Sequence, residues 1–229
     1  MPKRYRSRSR RPRRSIKRRS LKRKSSFRRS ARSFDPFPAS KIVTLRYCES
    51  ISINPTTGIP STHLFYANGI NDPNQTGAGH QPFGHDQWQA IYNHYEVVKS
   101  KITVDFVCSD NTTTAPATSV VGIALRDDAT AITDMDNIRE GKTATTRLLN
   151  LYGKAKLTKH YNRKVMFPTH TTSDSSTTQT PFGNNPSEAA FFHVFVAPVT
   201  SATDAANVNC VVTIEYLVKL WELRDFGAS

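Results

Sequence analysis

The sequence predicts an all-β domain of about eight antiparallel strands with long loops, preceded by a disordered basic arm. Three observations carry that prediction: apolar and polar residues alternate with period two in run after run, helical periodicity is almost absent, and positive charge is concentrated at one end of the chain.

The arm comes first. Residues 1–34 hold 17 of the 32 Lys and Arg and no Asp or Glu, while residues 35–229 hold 15 basic against 18 acidic groups. The formal charge of +14 therefore belongs to the arm, and the body is slightly acidic. The large apolar residues of the arm (Tyr5, Ile16, Leu21, Phe27 and Phe34) are too scattered to bury enough surface against chain entropy and self-repulsion. Its cations are Lys3, Arg4, Arg6, Arg8, Arg10, Arg11, Arg13, Arg14, Lys17, Arg18, Arg19, Lys22, Arg23, Lys24, Arg28, Arg29 and Arg32. Thirteen are Arg, whose guanidinium forks pair with phosphate and stay charged at any physiological pH. The chemistry predicts nucleic-acid binding through phosphates, steeply salt-dependent and blind to base sequence. The clusters Arg10-Arg11-Pro12-Arg13-Arg14 and Lys22-Arg23-Lys24 also suit a nuclear import receptor. Serines interleave with the arginines, and phosphorylation at positions such as Ser7, Ser9 and Ser15 would cancel part of the charge.

Phe34-Asp35-Pro36-Phe37-Pro38 reads as an extended hinge, because two prolines forbid helix. In 42–53, Val43, Leu45, Tyr47, Ile51 and Ile53 share one face, with Glu49 the single exception. A short strand follows at 62–67. Asp86 is placed to cap a helix over 87–93 with Trp88, Ile91 and Tyr92 on one side. In 95–108, Val98, Ile102, Val104, Phe106 and Cys108 face one way, and Lys99, Lys101, Thr103 and Asp105 the other. Shorter runs lie at 119–126, 144–152 and 154–162. Residues 189–198 are apolar on both faces, as a central strand would be, and 208–221 alternates most regularly. Long loops are expected at 70–85, 109–118, 127–143 and 168–188. Eight such strands fit a double-sheet jelly roll or another β-sandwich.

Other function classes find little support. No apolar run approaches the ~20 residues of a membrane span, and the basic N-terminus lacks the apolar stretch of a signal peptide. Cys48, Cys108 and Cys210 are odd in number and far apart, which argues against disulfides or a zinc site and for buried thiols in strands in a reducing compartment. Asn74-Gln75-Thr76 and Asn111-Thr112-Thr113 match the glycosylation pattern but read as plain loop residues. Gly79 to Gly84 has phosphate-loop glycine spacing, yet His85-Asp86 stands where Lys-Ser/Thr is needed. His80 and His85 have no third ligand nearby, and Asp127, Asp128, Asp134 and Asp136 lack the glycine and terminal Glu of a calcium loop. No enzyme, metal or cofactor is expected.

Two further candidates concern polyanions. Residues 139–164 gather Arg139, Lys142, Arg147, Lys154, Lys156, Lys159, Arg163 and Lys164 against Glu140 alone, either a patch for nucleic acid or a sulfated glycan or a merely solvated face. Trp88, Tyr92 and Tyr95 are placed to stack on bases or to fill the core.

A basic arm leads into Val43-Thr44-Leu45-Arg46-Tyr47, then Phe65-Tyr66-Ala67-Asn68-Gly69-Ile70-Asn71-Asp72-Pro73, Gly79-His80-Gln81-Pro82-Phe83-Gly84-His85-Asp86-Gln87-Trp88, Tyr92-Asn93-His94-Tyr95 and Lys99-Ser100-Lys101-Ile102. This layout resembles the capsid proteins of circoviruses and related small circular single-stranded DNA viruses. The resemblance implies a single jelly roll over 35–229 and a shell of sixty copies, the smallest (T=1) icosahedral form. It also implies arms 1–34 turned inward onto a packaged single-stranded DNA genome, a location in the virion and, during assembly, in the host nucleus, and room for a host attachment factor. Beyond residue 165 no motif matches. The competing expectation is a monomeric cellular nucleic-acid-binding protein with a basic tail.

Overall fold

The computed structural model describes residues 36–108, 118–150, 153–168 and 177–225. The arm, Asn111 and much of the predicted 109–118 and 168–188 loops lie outside the described residues. The elements are β1 (Ser40–Ile53), β2 (Ser61–Tyr66), α1 (His85–Gln89), β3 (Tyr92–Cys108), β4 (Ser119–Arg126), α2 (Met135–Glu140), β5 (Ala144–Leu149), β6 (Lys154–Asn162), α3 (Arg163–Met166), β7 (Thr180–Pro181), β8 (Phe191–Pro198) and β9 (Val208–Leu223).

The strands build two antiparallel sheets, one ordered β1-β9-β3-β6 with β7 beside the start of β3, the other β2-β8-β4-β5. Apart from β7, the first strand pairs with the last (β1 with β9), the second with the next to last (β2 with β8), then β3 with β6 and β4 with β5. One long hairpin rolled around a barrel axis produces that nesting. The domain is therefore a jelly roll, which the strand count alone could not decide.

Alternation explains what lies between the sheets. Leu45, Tyr47, Ile53, Ile102, Val104, Phe106, Val212, Ile214 and Tyr216 of the first sheet meet Phe65, Val121, Ile123, Phe192, Val194 and Val196 of the second. The core is rich in tyrosine, and each phenol needs a polar partner at its tip. Tyr95 donates to the Asn184 carbonyl at 2.8 Å and Tyr216 to the Tyr66 carbonyl at 2.8 Å. The first ties loop backbone to the sandwich, and the second joins β9 to the last residue of β2 in the other sheet.

The outer faces of the two sheets differ. On the second, Ala124 and Phe195 are covered by the 127–143 segment, where Ile132, Met135 and Ile138 pack onto them. That cover is why β8 is buried at every position. On the first, Arg46, Thr44 and Cys48 of β1 and Val211 and Lys219 of β9 are exposed, and no described element closes over the middle of the face.

Four local expectations change. Strand β3 begins at Tyr92, and a bulge between Val97 and Lys99 puts Val97, not Val98, on the core side. The helix predicted over 87–93 is the single turn α1. Gly84 at φ 85° occupies its N-cap, so Asp86 sits inside the first turn without capping it, and Tyr92 already belongs to β3. Cys210 is buried and Cys108 half-buried, whereas Cys48, at an outward position of β1, is exposed; all three are free thiols. Inside the predicted 127–143 loop lies α2, capped by the Asp134 carboxylate accepting from Asp136 N at 2.9 Å.

Candidate nucleic-acid interface

The arm's root, unlike the arm, is described. Tyr92 is fully buried and its hydroxyl donates to the Pro38 carbonyl at 2.9 Å, two residues before β1 begins. Trp88 packs at the core margin, its ring 6.2 Å from that of Tyr92, with the Lys41 ammonium 5.0 Å from the indole centroid. Tyr95 is buried too. Of the three aromatic residues considered for base stacking, Tyr92 and Tyr95 are closed to a base, and Tyr92 with Trp88 holds the segment by which the chain enters the sheet.

The eight basic residues of 139–164 do not form one surface. Lys154 and Lys156 project from the outer side of β6, and Lys156 pairs with Asp105 at 3.4 Å. Lys159 lies opposite the buried Ile102, on the inward side of the edge strand, where burial pushes its ammonium below the usual lysine range. Arg163 turns to Glu96, Nη1 to Oε1 3.0 Å, with both side chains largely buried. Lys164 is exposed on α3, Arg147 stands on β5 of the other sheet opposite Val121, and Arg139 and Lys142 flank the end of α2.

Register instead gathers cations from separate strands on the outer face of the first sheet. Arg46 and Lys101 both stand across from Glu215, at 2.6 and 2.5 Å, and these two partners hold the Glu215 carboxyl below the usual carboxylate range. Lys99 is exposed two residues before Lys101. Two adjoining hollows follow the face. One of about 380 Å³ is lined by Thr44, Lys99, Lys101 and His160 among others, and one of about 410 Å³ by Arg46, Thr103, Asp105, Lys156, Thr158 and Thr213, with Lys101 and Glu215 common to both. Alternation had already put Lys99 and Lys101 outward. Pairing order, which is absent from a linear reading, brings Arg46, Lys154 and Lys156 to them.

The loop carrying the 65–88 motifs is pinned by a polar hub. Asn74 is 2% exposed. Its Nδ2 donates to both Glu49 carboxylate oxygens at 3.0 Å, and its Oδ1 accepts from Thr76 N at 3.1 Å and from His63 Nε2 at 3.0 Å. Tyr47 donates to Glu49 at 2.5 Å, and the His80 ring packs against that of Tyr47, tilted by 32° with centroids 4.7 Å apart. Burial, and the nearby Glu49 charge, raise the Asp72 carboxyl above its ordinary range. His85 is buried instead against Phe182, with Nδ1 3.0 Å from Asp86. Among the described residues no group of three or more His, Cys, Asp or Glu is arranged to hold a metal, and no helix is long and apolar enough to cross a membrane.

No family model and no curated protein matches the chain. Solved structures that it resembles include that of Desmodium yellow mottle tymovirus, at 12% identity and a TM-score of 0.44, covering 86% of this chain and 98% of that one. The 60-mer BFDV capsid protein matches at 13% identity and 0.42, over 84% of this chain and 100% of that one. Mud crab tombus-like virus matches at 11% identity and 0.46, over 86% and 96%. At these identities and scores the functional reading rests on the chain's own residues.

Proposed function

We propose that the chain is the coat-protein subunit of a small virus with a circular single-stranded DNA genome, of the circovirus-like kind its motifs resemble. The jelly-roll body, 35–229, self-associates into a closed sixty-copy shell. The arm, 1–34, neutralises the packaged genome through its phosphates and carries the nuclear import signal. The observation that carries this reading is the joining of a rolled-hairpin sandwich to a segment with seventeen cations and no acid, a few residues before the edge strand β1. So much unpatterned charge supplies neither the fixed geometry of base readout nor that of catalysis. A shell subunit does, because packaged phosphates repel one another unless neutralised. The Asn74 hub suits the same role, since it gives a long polar loop one fixed shape, as repeated contacts between copies demand.

Electron microscopy of the purified full chain, with and without single-stranded DNA, tests the proposal. Closed particles of uniform diameter are expected. Monomers or dimers alone under both conditions would refute it and leave a nucleic-acid-binding monomer as the better description. Deleting residues 1–34 removes seventeen cations and should cost most of the DNA retention at moderate salt.

A further inference from the structure

We propose that the outer face of the β1-β9-β3-β6 sheet is a second nucleic-acid surface, taking the sugar-phosphate backbone of a single strand. This rests on the packaging reading and adds a body surface to it.

The face carries Arg46, Lys99, Lys101, Lys154, Lys156 and Lys219 against the carboxylates Asp105 and Glu215, a formal surplus of four. The body as a whole has fewer basic than acidic groups, 15 against 18, so charge is segregated onto this face. Lys99 and Lys154 have no carboxylate within ion-pair distance among the described residues, and the carboxylates present already hold Arg46, Lys101 and Lys156. From Lys99 to Val107, the residue opposite Lys154, the track along β3 runs about 27 Å at strand rise. Between its charged ends lie the hydroxyls of Thr103, Thr158 and Thr213, which suit phosphate oxygens. Among the described residues the rings lining the two hollows are those of Tyr161, which is buried, and His160, which is exposed, so the surface offers a single small stacking ring and no row of aromatic residues for bases. The second sheet's outer face is closed by α2 and its flanks, whereas this one stays open. Its edge strand β1 also continues the chain of the arm, so a strand held by the arm is tethered to the same subunit as this face.

The test uses the full chain and an oligo-dT single strand. Log affinity is measured against log salt for the wild type, for the face variant Lys99→Ser/Lys154→Ser/Lys156→Ser, and for the equal-charge control Arg139→Ser/Lys142→Ser/Lys164→Ser. Loss of three phosphate contacts should shallow the slope by about 2 in the face variant, a change of roughly 20-fold in how much affinity is lost between 50 and 200 mM salt. The control should leave the slope within about 0.5 of wild type. Equal slopes for the two variants overturn the proposal. Should the face variant fail to fold by circular dichroism, photo-crosslinking of wild-type protein to 4-thiothymidine DNA decides. Crosslinks on β3 or β6 support the surface, and crosslinks confined to residues 1–34 refute it. Failure of the packaging reading shows separately, as an absence of closed particles from wild-type protein.

Discussion

The Glu96–Arg163 pair offers the sharpest energetic test of the body. Arg163 Nη1 lies 3.0 Å from Glu96 Oε1, and the two side chains are 13% and 6% exposed. Thr178 donates to the same carboxylate at 3.1 Å, so one anion joins β3 to α3 and to the segment leading into β7. Leucine at 96 leaves a guanidinium largely buried without its counter-ion, and methionine at 163 leaves a carboxylate in the same position. Each single change should cost about 3–5 kcal/mol. At about 2–4 °C per kcal/mol for a chain of this size, that is a fall of roughly 6–20 °C in melting temperature. The double variant Glu96→Leu/Arg163→Met buries apolar groups in place of both charges and forfeits the Thr178 bond to Glu96 and the remaining contact of Arg163, about 1 kcal/mol each. It should therefore lie within about 2 kcal/mol of wild type. Urea unfolding of the unassembled subunit at pH 7 supplies all three values, and the expected coupling exceeds about 2 kcal/mol. Single variants costing under about 1 kcal/mol, or a double variant equal to the sum of the singles within about 0.5 kcal/mol, would refute the buried-pair argument.

Two other changes probe the second sheet. A methyl group on Gly122 would meet three ring atoms of the buried Phe195, Cζ most closely and Cε2 and Cε1 at 2.7 and 2.9 Å, so Gly122→Ala should cost about 1–3 kcal/mol in urea, and Phe195→Leu in the same chain should recover part of it. His193 is fully buried and donates from Nε2 to the Asp128 carbonyl at 2.8 Å; burial, more than the neighbouring Arg126, holds its imidazole below the usual range. The unfolded chain then takes up this proton more readily than the folded one, so the stability is complete above pH 6.5 and declines as pH falls from there toward the folded value. His193→Gln should flatten the fall in urea midpoint between pH 7 and pH 5; an unchanged slope would place its origin elsewhere. The raised Asp72 carboxyl works in the opposite direction and is common to both proteins.

Most strands were legible because a half-buried strand writes its pleat into the sequence. The odd-numbered residues of β1 and the inward positions of β9 need no tertiary knowledge. What failed did so for local reasons. Val97 and Val98 are alike, so nothing in the alternation marks the bulge that exchanges them. Six residues of α2 and four of α3 are too few to show a 3.6-residue period. The position before α1 went to Gly84, whose left-handed backbone at φ 85° supplies the turn without a side-chain cap. The candidate interface failed for a topological reason. A window along the chain grouped Lys156, Lys159 and Arg163, which the structure sends outward, inward and onto Glu96. The same window missed Arg46, brought beside Lys101 only because β1 and β3 flank β9.

Glu49, the one residue that broke the alternation of β1, marks the anchorage of the motif-bearing loop, and that reading can be tested by a change of one atom pair. Asn74→Asp keeps the shape of the hub but replaces an amide that donates to both Glu49 oxygens, at 3.0 Å, with a second carboxylate. Two like charges about 3 Å apart repel by roughly 5 kcal/mol at an effective dielectric of 20, and the half-exposed setting of Glu49 reduces this to about 2–3 kcal/mol. The variant should thus be destabilised by that amount at pH 8. A carboxyl forced against another has its affinity for protons raised in the folded state, so the deficit grows as pH rises through that value and shrinks on acidification, when one shared proton restores a donor. The difference in urea midpoint from wild type should accordingly narrow between pH 8 and pH 5. A deficit independent of pH would mean that the hub is held by Thr76 and His63 on Oδ1 alone, and that Glu49 is in the strand for another reason.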